Sequence, residues 1–155
     1  MPFEIIRNDI TKITVDIIVN AANTGLKMGG GVCGAIFAAA GADKLQAECD
    51  QIGGCAVGEA VITDGYKLPA KRIIHTVGPV WQGGSADEAR LLHRAYTSSL
   101  QLALKQNCKT IAFPLISSGI YGYPKDQALK IAVAAIAEFL LEHELLVYLV
   151  VFDKK

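Results

Sequence analysis

Two stretches of this chain carry residue types suited to holding a sugar and a phosphate. The first is Asn20-Ala21-Ala22-Asn23, followed by Gly29-Gly30-Gly31-Val32-Cys33-Gly34 and an alanine-rich segment. Adjacent glycines leave the backbone uncovered, so their N–H groups approach a phosphate closely, and a following helix start adds unpaired donors and partial positive charge. Carboxamides both donate and accept, which suits Asn20 and Asn23 to paired ribose hydroxyls without adding charge. The plainer alternative is a tight turn whose asparagines bond their own backbone. Gly29, Gly31 and Gly34 also match the spacing of a dinucleotide-binding fingerprint. However, Asn20 to Met28 separate them from their strand, and no acidic residue ends the next strand at the required distance, which sets a nicotinamide dehydrogenase aside.

The second stretch, Ser117-Ser118-Gly119-Ile120-Tyr121-Gly122-Tyr123-Pro124, repeats the arrangement of small residues before a helix start. Its backbone offers donors to an anion, and Tyr121 suits the edge of a sugar or phosphate. Alone it reads equally as an ordinary loop with Pro124 opening the helix. Two such loops at strand ends suggest one crevice with a diphosphate between them. Asp9, just beyond the first strand, either caps a short helix or accepts a hydrogen bond from the exocyclic amine of adenine. Phe152, ending the last strand, either stacks on that base or packs.

The elements that must position these residues follow from periodicity. Apolar, β-branched segments predict strands over Phe3 to Ile6, Asp16 to Asn20, Glu59 to Thr63, Arg72 to Val77, Thr110 to Leu115 and Leu146 to Phe152. Helices are expected over Gly34 to Ala40, Asp43 to Gln51, Ser85 to about Asn107, and Asp126 to His143, where Ala128, Ile131, Ala132, Ala135, Ile136, Phe139 and Leu140 form one apolar stripe. Strands apolar on both faces, alternating with helices, predict a three-layer α/β/α sandwich. The link from Asp64 to Lys71 is too short for a parallel crossover, so the central sheet is expected to be mixed and mostly parallel. No linker or repeat divides residues 1–155, so a single domain is expected. After the last strand, either the chain ends naturally or a further covering helix follows.

Composition excludes several classes. With 155 residues, 52% hydrophobic, the chain is sized for one core. Lys plus Arg and Asp plus Glu both number 15, without a basic run, which argues against nucleic acid as partner. No apolar run reaches the roughly 18 residues of a membrane span, and Met1-Pro2-Phe3-Glu4 does not resemble a secretion signal. A soluble, cytoplasmic monomer with no membrane partner is expected. Cys33, Cys49, Cys55 and Cys108 lack paired CxxC spacing and are expected as free thiols. A zinc site from Cys49, Cys55, His75 or His93 has no recognisable ligand spacing, so neither metal nor other cofactor is expected. His75, within an apolar strand, reads as a satisfied core histidine rather than a base.

Taken together, Asn8-Asp9-Ile10-Thr11, the block from Val19 to Gly41, His75-Thr76-Val77-Gly78-Pro79 and Ser117-Ser118-Gly119-Ile120-Tyr121-Gly122 resemble the macrodomain, the ADP-ribose-binding family, over nearly the whole length. Gly53-Gly54-Cys55-Ala56-Val57-Gly58-Glu59-Ala60 and Leu68-Pro69-Ala70-Lys71 are similar to its MacroD-type hydrolase branch. The resemblance implies ADP-ribose or a mono-ADP-ribosylated protein as partner. It implies that Asp9 holds the adenine amine, with the Ile10 backbone beside it and Phe152 near the base. Asn23, with Asn20 before it, would serve the distal ribose. Gly29, Gly30, Gly31 and Val32 would surround ribose and diphosphate, and Ser117, Ser118, Gly119, Ile120 and Tyr121 would close over the phosphates. The implied activity is metal-independent removal of ADP-ribose from acidic side chains, or of acetyl from O-acetyl-ADP-ribose, with Asn23, Gly31, Cys33 and Tyr121 as the catalytic set. Cys33 departs from the pattern, because MacroD-type hydrolases usually carry there an aspartate credited with orienting water. Other macrodomains are thought to use the substrate's own phosphate instead. A module that binds ADP-ribose without chemistry is the alternative that Cys33 favours.

Overall fold

The computed structural model of the protein describes residues 2–151. The strands are β1 (Phe3–Arg7), β2 (Ile17–Ala21), β3 (Ala60–Asp64), β4 (Arg72–Thr76), β5 (Thr110–Pro114) and β6 (Leu146–Val151). The helices are α1 (Gly31–Ala40), α2 (Ala42–Ile52), α3 (Glu88–Lys105) and α4 (Lys125–Leu140), with a single 3₁₀ turn at Ile10–Lys12. The strands form one sheet in the order β1-β6-β5-β2-β4-β3. Every neighbouring pair is parallel except β3 with β4, the pair joined by the short link. The mixed α/β/α sandwich expected from the strand pattern is the fold.

Both faces of the sheet are buried because successive side chains of a strand point to opposite sides. Ile17, Val19, Ile74, Ile111, Phe113, Val147 and Leu149 join one core cluster with Leu92, Tyr96 and Leu100 of α3 and Ala132, Ile136 and Phe139 of α4. Ile18, Ile73, Ala112 and Val150 join the other with Ile36 and Phe37 of α1 and Leu45 and Cys49 of α2. Each large apolar side chain so buried contributes roughly 1.5–3 kcal/mol. Among the described residues, no helix is long and apolar enough to cross a membrane.

The largest departures from the periodic expectation are at three helix ends. The first helix begins at Gly31 rather than Gly34, because its opening turn is built from the glycine loop itself. The third begins at Glu88 rather than Ser85. Asp87 has a left-handed backbone, φ +66°, which a helix does not cross, and the Glu88 carboxylate accepts from the N–H groups of Gln82, Gly84 and Ala86 just upstream. The fourth ends at Leu140 rather than His143. The last strand is described to Val151, and Phe152 lies outside the described residues.

Candidate functional site

Parallel strands end at one edge of a sheet, and in open α/β sheets that edge is where ligands sit. Here the strand order places the segments after β1, β5, β2 and β4 along it. Asp9 follows β1, Ser117 to Tyr121 follow β5, the asparagine and glycine loop follows β2, and Gly78 follows β4.

The loop after β2 is held open by its own side chains. Asn23 donates from Nδ2 to the Lys27 carbonyl (2.8 Å) and accepts at Oδ1 from the Lys27 N–H (2.9 Å), closing a small ring. That uses one of its two donor hydrogens and one acceptor position. Gln46 of α2 clamps the next residues, accepting from Met28 N–H and donating to the Leu26 carbonyl, both at 2.9 Å. Gly31 then turns with φ +58°, a conformation in which a side chain is strained. Gly34 is required for a different reason: a Cβ there would stand 2.4 Å from the Gly29 carbonyl oxygen. The N–H groups of Gly29, Gly30, Gly31, Val32 and Cys33 have no acceptor among the described residues, while Gly34 N–H already bonds Gly30 O at 3.3 Å. Unpartnered donors at a helix start are a ready anion site.

The loop after β5 offers a second row. Tyr96 of α3, fully buried, accepts at its hydroxyl from Ile116 N–H (3.0 Å) and donates to the Pro114 carbonyl (3.1 Å), fastening the loop's first residues. Burial pushes its ionisation well above the ordinary tyrosine value. Ser117 then adopts φ +69°, uncommon for a residue with a side chain. It is 5% exposed, and its Oγ has no hydrogen-bond partner among the described residues. Gly78 makes this possible, since a Cβ there would fall 2.2 Å from Ser117 Oγ. Beyond it, the N–H groups of Gly119, Ile120 and Tyr121 lack an acceptor among the described residues. Trp81 braces this loop from behind, donating its backbone N–H to the Tyr121 carbonyl (2.8 Å) and packing its ring 4.7 Å from that of Tyr123.

The two loops face each other across a cleft of about 290 Å³. Asn23, Gly29, Gly30, Gly31, Val32, Cys33, Ser117, Gly119, Ile120 and Tyr121 all line it, and among the described residues no acid, lysine or arginine does. Ile120, 76% exposed, reaches across so that its Cδ1 lies 3.0 Å from where a Cβ on Gly30 would be. Other expected residues lie elsewhere. Asp9 is the cap of the 3₁₀ turn, accepting from Thr11 N–H (3.0 Å) and Thr11 Oγ1 (2.7 Å), and the Thr11 hydroxyl holds its carboxyl below the ordinary range despite partial burial. Ile10 is in the core beneath α1. Ser118 folds back on the Leu115 carbonyl through both its N–H and its hydroxyl. Gly78, which also lines the cleft, was assigned no role from the sequence; the signal for it is a glycine directly after a parallel strand.

Asn20 does not reach the cleft surface: it is completely buried, and its expected contact with a ribose is replaced by contacts inside the protein. Its Nδ2 lies 3.0 Å from His75 Nδ1 and 3.6 Å from Cys33 Sγ. His75 Nε2 lies 2.9 Å from Thr63 Oγ1, so both ring nitrogens are satisfied, and burial lowers its pKa to about 4, leaving it neutral. It is a core histidine. Cys33 is 6% exposed and its thiol donates to the Lys27 carbonyl at 3.7 Å.

The fold and site define a class: an α/β/α domain that presents two backbone-donor loops at the carboxyl edge of a mixed sheet. The family model for the Macro domain matches residues 19–132. A macro domain-containing protein of Chlorobaculum tepidum is 58% identical over 88% of this chain and 79% of its own length. A protein of Citrobacter koseri named O-acetyl-ADP-ribose deacetylase is 52% identical over 95% of this chain and 86% of its own. The macrodomain of Oceanobacillus iheyensis, solved with ADP, superposes with a TM-score of 0.91 at 40% identity, covering 97% of this chain and 83% of that one. The chain belongs to the macrodomain family.

Proposed function

We propose that this macrodomain binds ADP-ribose in the cleft. We further propose that it hydrolyses either the ester of O-acetyl-ADP-ribose or the bond joining ADP-ribose to an acidic side chain. The carrying observation is the pair of opposed backbone N–H rows in a cleft with no charged lining, an arrangement that favours a diphosphate held by fixed dipoles. From β1 to β2 is three strand spacings, roughly 14 Å at ~4.8 Å each. That span suits a base near Asp9 and a distal ribose near Asn23, whose carboxamide keeps a donor and an acceptor beyond its ring with Lys27. The Citrobacter koseri relative's name supports the ester substrate.

Since no carboxylate of the described residues lines the cleft, water activation is assigned to the substrate's own phosphate. Water oxygen adds to the ester carbonyl, or at the anomeric carbon of the distal ribose. The leaving oxygen takes a proton, and ADP-ribose departs together with acetate or the freed carboxylate. Asn23 orients the ribose, Gly31 and Tyr121 limit its position, and proximity supplies much of the rate. Calorimetry should give tight binding of ADP-ribose and weaker binding of AMP and NAD. Single-turnover assays should release acetate from O-acetyl-ADP-ribose, or ADP-ribose from a modified glutamate. Equal affinity for NAD, or no release above buffer from either substrate, defeats the corresponding half of the proposal.

A second reading, a module that retains ADP-ribose without chemistry, draws support from Cys33, whose S–H is bonded to the Lys27 carbonyl rather than offered to water. Cys33→Ala and Cys33→Asp separate the two. A substrate-assisted hydrolase keeps its rate within about threefold in the alanine variant, whereas a binding module is inactive until aspartate is introduced.

A further inference from the structure

We propose that Thr63, His75 and Asn20 are positioning residues, forming a one-way hydrogen-bond relay that fixes the direction of the Cys33 thiol in the cleft wall. The direction follows from its fixed end. The Asp64 carbonyl only accepts, so the Thr63 hydroxyl, 3.1 Å away, donates to it. Thr63 Oγ1 therefore accepts from His75 Nε2 at 2.9 Å, which puts the single proton of the neutral imidazole on Nε2. Bare Nδ1 then accepts from Asn20 Nδ2 at 3.0 Å. The carboxamide is thereby turned with its nitrogen, not its oxygen, toward Cys33, and the second N–H points at Sγ, 3.6 Å away. With the sulfur accepting, the thiol proton goes to the Lys27 carbonyl.

Register makes the relay possible. Asn20 and His75 are paired across β2 and β4, and Thr63 stands diagonal to His75 on β3, all on the sheet face beneath α1. The orientation leaves Asn20 Oδ1 buried without a partner among the described residues. An isolated Asn20 would relieve that by turning its oxygen toward Cys33 and accepting the S–H. Only an Nδ1 that must accept prevents the turn, and only Thr63 keeps Nδ1 bare. A residue on the edge-side hairpin thus sets which atom of Cys33 faces its neighbours at the start of α1. The effect on turnover rests on the function proposed above, but the relay itself does not.

The test uses Thr63→Val, which keeps the shape and removes the hydroxyl, with Thr63→Ser to restore it. Imidazole nitrogen NMR reads the His75 tautomer, and the infrared S–H stretch, assigned by its loss in Cys33→Ala, reads the thiol. The wild type should carry its proton on Nε2. The valine variant should move it to Nδ1 and shift the Cys33 band, with kcat staying within about threefold as in Cys33→Ala, and serine should restore both spectra. A wild-type proton on Nδ1, a Cys33 band unmoved by valine, or equal changes in valine and serine overturns the relay. Wild-type protein that gives the expected spectra but turns over no substrate retains the relay and loses the proposed reaction.

Discussion

At Gly34 the backbone of α1 passes so close to the glycine loop that an added Cβ would meet the Gly29 carbonyl oxygen at 2.4 Å. The obstacle is backbone, which has nowhere to swing, so Gly34→Ala must push helix and loop apart. Overpacking of this kind costs about 1–3 kcal/mol, and because the displaced loop is also the proposed anion-binding wall, ligand affinity should fall with stability. Gly119 is the control within the same site: a Cβ there meets nothing within 4 Å. Urea unfolding should place Gly119→Ala within about 0.5 kcal/mol of wild type and Gly34→Ala well below it. Equal stability of the two variants would mean that the close approach is not what selects glycine at position 34. At this scale the sequence shows which residue types gather but not which atoms face the ligand. Asn20 and Asn23 look equivalent as carboxamides three positions apart, yet strand pairing buries the first against His75 while the second, past the strand end, lines the cleft.

The elements themselves were legible where periodicity is strong. Six apolar strands, the mixed sheet and the stripe of α4 follow from alternation and spacing alone, because burial on both faces leaves a chemical pattern. The starts of α1 and α3 were not, because they depend on loop geometry rather than on composition. The start of α3 is the clearest case. Glu88, only 1% exposed, gathers three upstream N–H groups and so shapes the segment that carries Trp81 against Tyr121 and Tyr123. Burial alone would raise its carboxyl, but the N–H groups of Gln82, Ala86 and Gly84 hold it below the ordinary 4.5. A carboxyl lowered by folding stabilises the protein fully above its unfolded value and loses that contribution as pH falls through the lowered one. Glu88→Gln removes the charge at every pH. The gap in melting temperature between wild type and variant should therefore be full near neutrality and narrow below about pH 4.5. Fluorescence of Trp81, the chain's single tryptophan, reports it from within the affected segment. A gap independent of pH would show that the amide satisfies those N–H groups as well as the carboxylate does.

Across the whole molecule the charges balance, 15 basic against 15 acidic, and none of those among the described residues lines the cleft. A doubly charged diphosphate is therefore expected to be held by peptide dipoles at the α1 start and the Ser117 to Tyr121 loop, not by a lysine or arginine pair. These two modes respond differently to salt. Mobile ions screen exposed charges over about 10 Å at 0.1 M and about 3 Å at 1 M, and a site built on cations loses affinity steeply across that range. N–H groups bonded directly to phosphate oxygens carry no net charge to screen. Calorimetric titration of ADP-ribose should give a Kd that changes by less than about threefold between those salt concentrations, while the binding enthalpy stays near constant. A rise of tenfold or more would require a cation at the diphosphate. In the loop after β2, Lys27 is joined to Asp50 at 2.7 Å, so the variant to try next would be Asp50→Asn, which removes that ion pair.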